Sequence, residues 1–175
     1  MTFPTDTPHP DAAQAERDAV LGALGLTGPE PELDAFAARL AEEAGVPYAM
    51  VNVFGTGQQF FGLHTPGDES DLPTVGRTMP LDHGFCPEVV ARKKALVLPD
   101  VFASPRFAGN TVVDLIGIRT YAGAPLLHGD TVLGTVCFVG PVERDVSTGR
   151  ESLALIKKRA DDVMNFLHQR TGIQP

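Results

Sequence analysis

Only two cysteines, Cys86 and Cys137, occur in the 175 residues, and they lie far apart in the chain. Small stapled domains carry more cysteines in paired spacings, so a disulfide framework is excluded and a reducing compartment is the expectation. Basic residues are also few. Lys and Arg number 14 against 22 Asp and Glu, a formal net charge of -8, which leaves no basic stripe for a nucleic-acid backbone. The two basic clusters, Arg92-Lys93-Lys94 and Lys157-Lys158-Arg159, fall within helical patterns and read as solvated faces. No apolar run approaches the roughly 20 residues that cross a bilayer. The first ten residues have neither a basic nor an apolar region of the signal-peptide kind and read as a disordered leader, 1–10, of a cytoplasmic protein.

Recognisable catalytic motifs are missing too. There is no Gly-x-Ser-x-Gly, no Gly-x-Gly-x-x-Gly and no Walker loop, and Gly55-Thr56-Gly57 reads as a turn. His83-Gly84-Phe85-Cys86, with Asp82 and Glu88 nearby, lacks the second ligand pair that structural zinc requires, so no metal site is expected. His9, His64, His128 and His168 are scattered, and nothing marks His64 or His83 as a haem ligand.

With 43% hydrophobic and 21% charged residues, the composition suits one globular domain, expected over 11–175 with its core at about 31–167. Asp11 is placed to cap a first helix running to Leu24. A second helix starts at Pro31, carries Leu33, Phe36, Ala37, Leu40, Ala41 and Ala44 on one face, and stops at Gly45. Residues 48–54 and 58–64 then form a hairpin pattern, and 65–80 reads as a surface excursion. Pro87 opens a short helix to about Lys94, which makes Cys86 its N-cap, and a short strand follows at 95–98. The segment 100–110 is turn-rich. Residues 120–127 and 132–140 form a second hairpin, and the 132–139 run is apolar on both faces, as a central strand is. Thr148 and Glu151 have capping-box spacing before a long helix with the stripe Leu153, Ile156, Ala160, Val163 and Leu167. This order predicts an α+β fold.

An ordered series of short motifs then points to a family. Gly84-Phe85-Cys86, Leu98-Pro99-Asp100, Ser104-Pro105-Arg106-Phe107 with Asn110, Ile118 to Leu126, Gly129-Asp130 and Leu133 to Cys137 together resemble the GAF domain family. The resemblance implies a central six-stranded antiparallel sheet, terminal helices on one face and a helix-and-loop pocket layer on the other. Its implied lining comprises Phe85, Phe102, Phe107, Asn110 and Tyr121, with Asn52 as a polar residue inside an apolar strand. Family members sense small molecules or relay a partner's state, so the expected role is regulatory, with an unidentified small molecule or signalling protein as partner. The expected cofactor is unknown. Cys86 precedes Pro87 and Cys137 lies mid-strand, a setting that argues against covalent bilin attachment. The family's free methionine-sulfoxide reductases place their attacking cysteine after the loop that here reads 104–110. No cysteine is found there, so an enzyme of that kind is not expected.

Two alternatives accompany this reading. Cys86, a further pocket candidate at a helix start where free amides favour a thiolate, is a candidate redox sensor or the centre of a minor reductase, with His83 three residues before it. Alternatively the pocket is filled and the chain is a protein-interaction module. The stripe on the last helix serves either the sheet or a homodimer.

Overall fold

The computed structural model describes residues 10–175, with side chains described from residue 12. The leader therefore lies, apart from Pro10, outside the described residues, and so does the side chain of Asp11; the first helix already begins at Pro10, so Asp11 belongs to its first turn and is not its cap. In chain order the elements begin with α1 (Pro10–Ala23), α2 (Pro31–Ala44), β1 (Tyr48–Phe54), β2 (Gln58–His64) and β3 (Thr78–Met79). They continue with α3 (Cys86–Arg92), β4 (Leu96–Leu98), a 3-10 turn (Val101–Ala103), α4 (Pro105–Ala108) and α5 (Thr111–Ile116). The chain closes with β5 (Thr120–His128), β6 (Thr131–Gly140), a second 3-10 turn (Val146–Thr148) and α6 (Gly149–Thr171).

The strands form one six-stranded antiparallel sheet in the order β3-β2-β1-β6-β5-β4. The central strand β6 is buried from Val132 to Gly140, as its two-sided apolar pattern predicts. Each face carries its own core. Ala49, Val51, Val53, Ala122, Ala124, Val136 and Phe138 face α1, α2 and α6. Tyr48, Met50, Tyr121, Cys137 and Val139 face α3 and α5. Two β-bulges adjust the alternation. Leu126 pairs with Gly134 and Leu127 with Val132, which leaves Leu133 as the extra residue, and Phe61 plays the same part between β1 and β2.

The helix layer is tied down by both packing and charge. Helix α2 lies so close to β2 that a Cβ on Gly62 would stand 2.4 Å from the Leu33 carbonyl oxygen. Asp34 accepts from the Leu63 amide at 2.8 Å and pairs with Arg77 at 2.8 Å. Arg170, near the end of α6, makes a two-pronged pair with Glu30 at 2.6 and 2.9 Å and also donates to the Leu24 and Gly25 carbonyls. This partly buried fork closes the start of α2 onto the last helix. Arg170→Ala is therefore expected to lower stability by about 1–2 kcal/mol in urea titration, and a midpoint equal to wild type would contradict the tie.

Three further sequence expectations are corrected and one element is added. Residues 65–80 hold the edge strand β3, whose two residues are too few to show a period. The added element is α5, in a stretch after 110 to which the sequence pattern assigns nothing; Asn110 caps it. Thr148 makes no side-chain cap to α6: its hydroxyl donates to the Asp145 carbonyl at 2.7 Å, because a 3-10 turn capped by Asp145 runs straight into the helix. Leu153 leaves the stripe at 37% exposure, while Ile156, Ala160, Val163 and Leu167 are buried against the sheet.

Candidate functional site

The site is built on the sheet face opposite the long helices. Cys86 is the first residue of α3 rather than its cap. The cap position belongs to Phe85, already in helical geometry, because Pro87 tolerates a turn begun one residue earlier. Gly84 takes a left-handed φ of 79°, and Asn110 clamps it by accepting from the Gly84 amide at 3.0 Å and donating to its carbonyl at 2.8 Å. The same oxygen of Asn110 caps α5 through the Val112 amide at 3.2 Å. One short side chain thus fixes the start of α3 against the start of α5.

Under this layer the strands bring polar groups into an apolar enclosure. Asn52 and Gln58 are fully buried. Asn52 Nδ2 donates to Gln58 Oε1 at 2.7 Å, and Gln58 Nε2 donates to the carbonyls of Pro80 and His83 at 2.8 and 2.7 Å. Asn52 Oδ1 and the Thr135 hydroxyl have no hydrogen-bond partner, although Asn52 and Thr135 face each other across β1 and β6. Buried polar groups without partners are uncommon and costly, about 1–3 kcal/mol each. A cavity of about 30 Å³ opens beside Asn52, lined mainly by apolar side chains such as Met50, Phe85 and Ile118. That volume admits about one water or a group of similar size.

Both cysteines reach this enclosure and line it. Cys86 Sγ lies 3.2 Å from the Tyr121 hydroxyl, and the Cys137 thiol is 3.8 Å from Met50 Sδ. The Tyr121 ring lies across Gly123, where a Cβ would meet its hydroxyl at 2.0 Å; Gly123 in turn is the cross-strand partner of Cys137. The neighbouring Cys137 thiol holds Cys86 down to about 7, against the pull of burial and with help from Thr135, Tyr121 and Asn52. The Thr135 hydroxyl makes no well-formed hydrogen bond, so its contribution is that of a nearby dipole. Cys137 is pushed well up, first by its hydrogen bond to Cys86 and then by burial. Tyr121 is pushed well up by burial and by the two sulfurs. The pair thus divides into one acidic and one reluctant thiol.

The residues singled out from the sequence separate into three places. Asn52, Phe85, Cys86 and Tyr121 meet at the cavity. Phe107 stands behind Phe85 in an edge contact at 5.7 Å, and Asn110 builds the wall. Phe102 is outside, 49% exposed beneath the Arg119 guanidinium at 4.2 Å, because the 3-10 turn that carries it faces solvent. The His83 ring pairs with Asp82 at 2.9 Å and makes no described contact with Cys86. Met50, Gln58, Thr135 and Cys137 were not singled out. Thr135 shows the same signal that Asn52 gave, a polar residue inside an apolar strand. His128 and His168, remote in sequence, meet at 3.0 Å on the opposite side, but no group of three metal-ligating side chains occurs among the described residues.

The family model described as GAF domain matches residues 17–166. No curated protein matches the chain in sequence. Among solved structures, the GAF domain from Acinetobacter phosphoenolpyruvate-protein phosphotransferase is similar at 13% identity and a TM-score of 0.61, over 92% of this chain and 95% of that one. The type II free methionine-R-sulfoxide reductase from Thermoplasma acidophilum is similar at 13% identity and a TM-score of 0.59, over 79% and 91%. The phycocyanobilin-bound GAF domain from a cyanobacterial phytochrome is similar at 15% identity and a TM-score of 0.56, over 94% and 98%. At these identities the likeness is one of fold.

Proposed function

The chain belongs to the GAF domain family, and from that premise we propose that it is a regulatory sensor, taking a small polar molecule into the cavity between its sheet and the α3–α5 layer. The observation that carries this reading is the partnerless Asn52 Oδ1, fully buried and lining that cavity. A ligand that donates a hydrogen bond there would offset the cost of leaving it bare. The occupant is small, because drug-sized sites run to about 300–1,000 Å³ and this cavity holds about 30 Å³. A bilin does not fit the residues present: the space is too small, and Cys86 is buried beside Pro87. Occupancy would press on α3 and α5 and so reach whatever protein reads that layer. The role is regulatory rather than enzymatic, and the setting cytoplasmic. No described helix is long and apolar enough to cross a membrane. The buried stripe of α6 is consumed by the sheet, so a homodimer through this helix would use its other side, around Leu153.

Asn52→Leu tests the first reading. Removing the partnerless oxygen that lines the cavity is expected to abolish any thermal shift produced by small amides, alcohols or amines, whereas Thr135→Val, at a residue outside the lining, should leave that shift unchanged and raise the stability of the free protein by about 1 kcal/mol. A folded Asn52→Leu variant with its ligand response intact would overturn the reading.

A second reading is supported by the Tyr121 hydroxyl at 3.2 Å from Cys86 Sγ: Cys86 is the thiol through which the domain senses oxidants or electrophiles. Under this reading iodoacetamide labels Cys86 faster than Cys137 at neutral pH, by about tenfold or more for thiols a pKa unit or more apart. Equal and slow labelling of both would remove it.

A further inference from the structure

The thiol reading treats Cys86 alone, but the sheet register supplies a second sulfur. Cys86 Sγ touches the Tyr121 hydroxyl at 3.2 Å, that hydroxyl overlies Gly123, and Gly123 is paired with Cys137. Directly opposed residues in a ladder keep their Cβ atoms about 4.5–5.5 Å apart, so these links place the two cysteine side chains next to each other. Helix α3 packs directly on β6. Both thiols are buried, at 5% and 3% exposure, which shields them from large reagents and from disulfide exchange between molecules.

We propose that Cys86 and Cys137 form a two-thiol centre that reduces a small hydroperoxide and records the event as an intramolecular disulfide across the cavity. The proposal rests on the thiol reading of Cys86 and deepens it by assigning Cys137 the resolving role.

The steps balance. The Cys86 sulfur attacks the outer oxygen of the hydroperoxide; an S–O bond forms and the O–O bond breaks. The thiol proton leaves with the departing oxygen, giving an alcohol, or water from hydrogen peroxide, and Cys86 becomes a sulfenic acid. The Cys137 sulfur then attacks the Cys86 sulfur; the S–S bond forms, the S–O bond breaks and water departs with the Cys137 proton. Two thiols have lost two electrons to one O–O bond. A cavity of about 30 Å³ accommodates the two-oxygen end of such a molecule and excludes bulk.

The closure has a mechanical basis. A disulfide brings Cβ atoms to about 3.8 Å, so the first turn of α3 must settle toward β6. That helix spans seven residues, Cys86–Arg92, and left-handed backbone flanks it at Gly84 and Lys93, with φ of 79° and 54°. It is thus a short unit bounded by two sharp bends. Its movement would consume the cavity, so oxidation and ligand entry would exclude each other.

The test uses the full, reduced chain treated with a slight excess of hydrogen peroxide or tert-butyl hydroperoxide. Intact mass, thiol titration in denaturant and peptide mapping are the readouts. The expected product is a monomer lighter by two hydrogens, with its two free thiols reduced to none and peptides containing 86 and 137 linked. Cys137→Ser, with Cys137→Ala as a second variant in case a buried serine unfolds the strand, should stop at a Cys86 sulfenic acid trapped by dimedone. Cys86→Ser should leave Cys137 as a thiol. If the Cys137 variants give the sulfenic acid but wild type yields only sulfenic acid or disulfide-linked dimers, the pairing is overturned while the reading of Cys86 stands. If Cys86 stays a thiol in all forms, both fall together.

Discussion

Gly134→Ala is expected to abolish or nearly abolish folding, although it adds a single methyl group to a central strand. Gly134 has no left-handed backbone to protect; its role is close approach. A Cβ there would stand 1.8 Å from the Asn52 carbonyl oxygen, 2.8 Å from its carbon and 3.0 Å from Val53 Cα. All three atoms belong to the backbone of β1, which is locked by β2 on one side and β6 on the other, so no side chain can swing away to make room. Overpacking a core typically costs about 1–3 kcal/mol when side chains adjust, and a clash against paired backbone exceeds that range. Against a total stability of about 5–15 kcal/mol, the variant should be insoluble or show a urea midpoint far below wild type. A midpoint within experimental error of wild type would mean that β1 yields easily, and the tight crossing beside Asn52 would no longer position the site.

How much of this was legible in the sequence depends on which force set each feature. The two hairpins, the two-sided burial of β6 and the ends of α2 follow from period, turn residues and Gly45, so residue order alone shows them. Strand β3 has two residues and pairs only Gln58 and Gln59, too short for any pattern to register. Helix α5 was hidden because its cap, Asn110, doubles as the clamp on Gly84 and looks like a turn residue locally. The capping-box spacing at Thr148 and Glu151 misled because an upstream 3-10 turn took over the Thr148 hydroxyl. For the site, Asn52 is singled out as a polar break in an apolar strand; Thr135 gives the same signal but is passed over, and the juxtaposition of Cys86 with Cys137 gives none. Their spacing argues against a disulfide framework, and only the packing of α3 on β6, with Tyr121 and the β5–β6 register as the link, brings them together. Phe102 has the same composition signal as Phe85, yet its 3-10 turn faces it outward to Arg119.

Gly123→Ala should have the opposite outcome to Gly134→Ala, a folded protein with a disabled site. Here the added Cβ would meet the Tyr121 hydroxyl at 2.0 Å and its ring carbons at 2.7 and 3.1 Å, all at the far end of one side chain. The ring swings aside, at a cost of about 1–3 kcal/mol, and the sheet persists. Cys86 then loses the hydroxyl 3.2 Å away, and the displaced ring crowds Cys137, the group that does most to hold Cys86 down to about 7. The pH at which iodoacetamide labelling of Cys86 is half-maximal should therefore move up toward the ordinary thiol value. That midpoint separates acidity from access, which changes the plateau rate instead. Tyr121→Phe keeps the ring in place and should move the midpoint in the same direction without the steric cost. Stability carries the same sign. A thiol that ionises more readily in the native state than in the unfolded chain contributes stability that is fully present above the unfolded value of about 9 and is lost as pH falls through about 7. Wild type should therefore gain stability across that window, and Gly123→Ala should gain less. An unchanged midpoint and an unchanged slope in both variants would show that neither the Tyr121 hydroxyl nor the seat on Gly123 sets the chemistry of Cys86.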